Sequence, residues 1–97
     1  MRYLVVDGEL QCTGIRDEYE GDYLEPESLG LSQSLTEQIK TWVGDYDSQH
    51  FKGFKDSDAI DLLDNQGIDI ARAIKEEMTD VKVRYYSHAK ATSLIRL

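Results

Sequence analysis

The chain reads as an α+β fold in two layers, an antiparallel sheet of about four strands with two helices on one face, in the order ββααββ. Three observations lead there. Two internal segments repeat apolar residues at helical spacing. The segments flanking them cluster or alternate β-branched and aromatic residues at strand spacing. Both helices are striped on one side only, so each needs a sheet to cover it. The 97 residues suit one domain over 1–97, since no internal repeat, low-complexity tract or interior linker divides them.

Taken in order, Tyr3 to Val6 is apolar and partly β-branched, and Asp7-Gly8 is a two-residue hairpin signal because both residues tolerate the positive φ of a type I′ turn. This predicts strands over 2–6 and 9–15. The stretch from Asp17 onward, with the single Pro26, is an irregular connection running through Gly30 to a helix. Ser34-Leu-Thr-Glu37 fits a capping box, in which hydroxyl and carboxylate each satisfy an orphan amide; Ser32 is an earlier alternative cap. Leu35, Ile39, Trp42, Val43 and Tyr46 then fall at i, i+4, i+7, i+8 and i+11, one stripe of a helix over 34–48.

Residues 50–63 mix Gly53, two phenylalanines, two lysines and several aspartates, a connection with room for a short helical turn before Leu62 and Leu63. With Asp64 as cap, Leu63 and Ile68 take the places of a hydrophobic staple, and Ile68, Ala71, Ile74 and Met78 continue a second helix over 65–78. Thr79-Asp80 breaks it. Val81 to Tyr86 alternates apolar and polar, which predicts a strand over 81–87; His88 to Ala91 turns, and 92–97 is the last strand. Leu35, Ile39, Trp42, Ile68, Ala71 and Ile74 are expected in the core.

Charge is unevenly spread. Residues 1–80 hold all 19 acids against seven basic residues, a net of −12, whereas 81–97 hold Lys82, Arg84, Lys90 and Arg96 and no acid, for −8 in all. A chain this acidic is repelled by nucleic acid and anionic membranes and associates readily with basic proteins. Cys12 is the only cysteine, which excludes an intramolecular disulfide and a cysteine-based metal site and fits a reducing compartment. The apolar run at the N-terminus is too short for a signal peptide, and nowhere are 18 apolar residues consecutive, so a cytoplasmic protein is expected.

The densest functional signal is Asp17 to Glu27, with Asp17, Glu18, Glu20, Asp22, Glu25 and Glu27 as carboxylates, no basic residue, and Tyr19 and Tyr23 interleaved. Acidic runs are usually solvated loops. Tyrosines, however, are enriched among residues that anchor interfaces. These eight residues are the candidate partner-binding set.

Other chemistry finds little support. His50 and His88, the only histidines, sit at a helix end and in a turn, and their spacing does not bring them together; His50 is suited to the helix C-terminal dipole. Cys12, in a strand, could be a nucleophile only with a neighbouring base, and reads instead as a small buried apolar side chain. Asp56, Asp58, Asp61 and Asp64 invite a calcium loop, but Ile60 stands at its third ligand, Asp61 at its invariant glycine and Gly67 at its terminal glutamate. Asp45 and Asp47 add no better set. Lys82, Arg84, Tyr85, Tyr86, His88, Lys90 and Arg96 have the style of a nucleic-acid platform, yet exposed strand faces commonly look so. No glycine-rich phosphate loop, GxSxG or HExxH occurs. The expectation is a non-enzymatic protein with no cofactor and no metal.

Leu31-Ser-Gln-Ser-Leu35 with Ile39, Trp42 and Asp45-Tyr46-Asp47, then Gly67-Ile-Asp-Ile-Ala71 through Glu77-Met78 and Val81-x-Val83-x-Tyr85, resembles a pattern found in small bacterial proteins, among them immunity proteins of contact-dependent growth inhibition and related polymorphic toxin systems. The resemblance covers about residues 31–86 and consists mostly of core and cap positions, so it assigns no binding residue. It implies bacterial origin and a toxin partner. Joined to the charge, it leads to an immunity protein that occludes the active or substrate-binding surface of a basic toxin domain, a nuclease being the natural candidate because its substrate is a polyanion. The alternative is a non-catalytic regulatory or accessory protein-interaction domain.

Overall fold

The computed structural model describes residues 1–97. Along the chain come β1 (Arg2–Asp7), β2 (Ile15–Asp17), α1 (Gln33–Lys52), α2 (Ser57–Glu77), β3 (Val81–Ser87) and β4 (Thr92–Arg96), with a 3-10 turn at Pro26–Leu29 before α1. This is an α+β architecture, but its sheet is mixed, not antiparallel throughout. The strand order is β2-β1-β3-β4, and the central pair β1 and β3 runs parallel from Arg2↔Val81 to Asp7↔Tyr86. Parallel neighbours require a long crossover, which the two helices supply. Side-chain alternation reports the face a residue takes and not the direction of the next strand, so this junction leaves no local mark.

Leu4 and Val6 of β1 and Val81, Val83 and Tyr85 of β3 join one core with Leu35, Ile39, Trp42, Val43 and Tyr46 of α1 and Leu63, Ile70, Ala71 and Ile74 of α2. Trp42 is also satisfied there, its Nε1 donating to the Leu63 carbonyl at 2.9 Å. Ile68, expected in the core, is only half-buried, and Ile70 takes the fully buried place. Val5 is fully buried but lies outside the core cluster, flanked in register by Arg16 and Arg84. The sheet therefore has a second face, which the helices leave uncovered.

The expected tight hairpin at Asp7-Gly8 does not form. A loop over 8–14 intervenes, and β2 is three residues long with Val6 opposite Ile15. Gly8 is needed for close approach: a Cβ there would lie 2.4 Å from the Tyr46 ring. The positive φ falls instead on Gln11 (58°) and Gly14 (93°).

Both helices start earlier than their apolar stripes suggest. Ser32, not Ser34, caps α1, its Oγ accepting from the Leu35 amide at 3.1 Å, while Glu37 is bound by Gln33 at 3.3 Å. Glu77 at the end of α2 clasps the same residue, taking the Ser32 amide and hydroxyl, each at 2.7 Å. Helix α2 begins eight residues before the expected start, capped by Asp56, whose Oδ1 accepts from Asp58 and Ala59 at 3.1 and 3.2 Å. Asp64 is no cap. It is buried inside α2 and accepts the Tyr85 hydroxyl at 2.7 Å, so the staple drawn on Leu63 and Ile68 is dissolved. Strand β3 matches its expected bounds, and β4 stops one residue short of its own.

Candidate functional site

The acidic segment is an ordered strap along the β2 edge, and its geometry starts from Asp17. The Asp17 carboxylate accepts the amides of Tyr19 at 2.9 Å and Glu20 at 2.8 Å, and Gly21 (φ 79°) returns an amide to the Asp17 carbonyl at 3.0 Å. Those two amides, Glu20 first, hold the Asp17 carboxyl below its ordinary value. The turn thrusts Tyr19 outward, 75% exposed, with its ring set edge-on to Tyr3 at 5.1 Å.

The eight candidate residues divide by direction. Glu20, Asp22 and Glu25 are exposed and enter no ion pair. Glu18 turns back onto the open sheet face, where its Oε1 lies 2.9 Å from Arg84 Nε and 3.9 Å from Arg96. Glu27 pairs with Lys40 at 3.0 Å. Tyr23 is half-buried and donates to Glu9 at 2.6 Å and to Asp7 at 3.3 Å; burial first and then the Glu9 bond push its hydroxyl pKa well above normal. Asp17 and Glu18 thus shape the strap, and Tyr23 and Glu27 moor it.

Asp7, which carries only a turn signal in the sequence, is the hub of a polar cluster at the carboxyl end of β1. Its carboxylate is buried, Oδ2 taking Arg16 Nε at 3.1 Å, while Oδ1 has no hydrogen bond and His88 Nδ1 stands 3.8 Å away. His50 and His88 do meet, contrary to the expectation from their spacing, with ring centroids 4.7 Å apart. The parallel junction causes this, because it sets the β3–β4 turn beside the end of β1 and the end of α1. His50 Nε2 is 2.7 Å from the Gly8 carbonyl, which can only accept, so that nitrogen bears the proton. Cys12 donates its thiol to the Asp7 carbonyl at 3.4 Å, and burial, its largest influence, pushes the pKa up to about 11, so it is no ready nucleophile.

The basic C-terminal residues do not act as one set. Tyr85 points into the core, and Lys90 bridges Asp61 at 2.8 Å and Asp64 at 3.1 Å on α2. Lys82, Arg84 and Arg96 share the open face with Tyr3, Tyr19 and Glu18 around a shallow depression of about 240 Å³. Alternation within β3 marked Lys82 and Arg84 as outward, but nothing in the sequence placed Tyr3 and Glu18 beside them.

No helix is long and apolar enough to cross a membrane. Among curated proteins, none matches the chain. The family described as Serratia CdiI immunity protein-like matches residues 3–88. That span runs from β1 past the end of β3, so it takes in both helices, the acidic strap and the central parallel junction. The chain belongs to the Serratia CdiI immunity protein-like family.

Proposed function

We propose that this protein is the immunity partner of a basic toxin domain, most naturally a nuclease, and that it neutralises the toxin by occluding its active or substrate-binding surface with the strap from Asp17 to Glu27. The protein itself performs no chemistry in this reading, binds no cofactor and acts in the cytoplasm as a single domain. The observation that supports it is the way the strap is built: Asp17 fixes a turn that holds Tyr19 out at 75% exposure beside the unpaired carboxylates of Glu20, Asp22 and Glu25.

Each group has a physical role. Exposed carboxylates contribute little binding energy singly but steer a basic partner in, an effect that salt screens. Tyr19 offers a large amphipathic surface that can be desolvated on contact. Glu18, Tyr23 and Glu27 hold the strap in place, so less order has to be gained when the partner arrives.

The test is binding kinetics against the cognate toxin domain at low and high salt, with a growth-protection assay alongside. Replacing Glu20, Asp22 and Glu25 by their amides should slow association and flatten its salt dependence, leaving dissociation nearly unchanged. Tyr19→Ala should speed dissociation, with a loss of about 2 kcal/mol. An amide variant that binds and protects like the parent at every salt concentration would move the interface elsewhere.

A further inference from the structure

The depression beside the strap has the opposite charge from the rest of the molecule. Among the side chains that line it, Lys82, Arg84 and Arg96 meet one acidic residue, Glu18, on a protein of net charge −8. Glu18 is spent on Arg84: their contact is 2.9 Å, with the two side chains 21% and 16% exposed. Arg96 is 74% exposed, and its 3.9 Å approach to Glu18 is too long for a hydrogen bond. Lys82 is exposed and takes no part in the ion pairs of this face. The edge-on Tyr3–Tyr19 pair lines the same depression.

We infer that this depression receives a carboxylate side chain of the toxin domain, held between Lys82 and Arg96 against the Tyr19 ring. The inference rests on the immunity reading above and adds a second contact of reversed sign. Three physical points select this occupant. A nucleic acid brings a line of phosphates, which the net charge of −8 repels. A second copy of this chain is equally acidic and is disfavoured for the same reason. A toxin domain that is basic overall but bears a carboxylate among its cations, as acid–base and metal-dependent hydrolytic sites do, meets both halves of the surface. The alternation of sign also fixes one docking register, because a rotated toxin would set like charges together.

Charge reversal tests this, since the two readings differ in sign. The double variant Lys82→Glu/Arg96→Glu makes the face more acidic. If the toxin were met by negative charge alone, association would quicken and binding tighten. If a toxin carboxylate sits between these cations, the complex should dissociate about tenfold faster or more, while the free variant still unfolds in one cooperative transition because both side chains are exposed. Lys82→Arg/Arg96→Lys should retain parental binding. The probe is the catalytically inactivated toxin domain encoded next to this protein's gene. Equal or tighter binding by the charge-reversed variant overturns the inference and leaves the acidic strap standing. Weakened binding by that variant, with unaltered binding by the amide variant of the strap, supports the basic contact and removes the acidic one. A parent protein that does not bind the toxin removes both.

Discussion

Two glycines inside the helices make opposite use of a missing side chain. At Gly67 in α2 an added Cβ would stand 2.1 Å from the Tyr85 ring, which cannot retreat easily because its hydroxyl is bound to buried Asp64 at 2.7 Å. Gly67→Ala should therefore cost about 1–3 kcal/mol by overpacking. At Gly44 in α1 nothing lies within 4 Å, so Gly44→Ala should gain about 0.5–1 kcal/mol from helix propensity. Urea midpoints at constant slope read both, and a neutral Gly67→Ala would show that Tyr85 yields. Tyr85→Phe should cost about 1–3 kcal/mol, since Asp64 then keeps only Lys90. Asp64 illustrates why single residues were the least legible part of the sequence. An aspartate before a helical stripe is ordinarily a cap, and only its distant partner on β3 reveals it as an interior acceptor.

Helix α1 was readable because five apolar residues share one stripe, and all five are buried. Trp42→Ala should cost about 3–5 kcal/mol, seen as a large fall in melting temperature. The first two turns of α2 were hidden by their aspartates, which read as loop. The hydrogen bonds at Asp56 predict that Asp56→Ala loses about 1 kcal/mol. In the strap, composition marked a surface segment but could not show which acids are consumed internally; Glu18 needed Arg84, 66 positions away. The Asp17 turn gives a pH signature of definite sign. Its folded pKa is depressed, so its contribution is fully present above the ordinary value of 3.8 and is lost as pH falls below it. The amide signals of Tyr19 and Glu20 should shift together across that acidic range, and Asp17→Asn should abolish the shift.

For the whole molecule, element order and the one-sided helical layer were legible, while strand direction was not, because β1 and β3 present the same alternation whether they run together or opposed. Two further features follow from that hidden junction: the meeting of His50 with His88, and the placing of Glu18 beside Lys82 and Arg96 on an uncovered sheet face. A fragment of residues 1–80 should lack native tertiary structure, shown by collapsed dispersion in its proton spectrum, because β1 is left without its central partner. The same junction sets a clock on synthesis. The 79 positions separating Arg2 from Val81 correspond to about 4–16 seconds of translation, during which Leu4, Val5 and Val6 leave the ribosome with no strand on their β3 side. On the immunity reading proposed above, an inhibitor assembled in this order cannot act while it is being made. Resistance to a toxin arriving within seconds would then come from finished molecules already in store, and turnover of the folded pool would matter more than the speed of new synthesis.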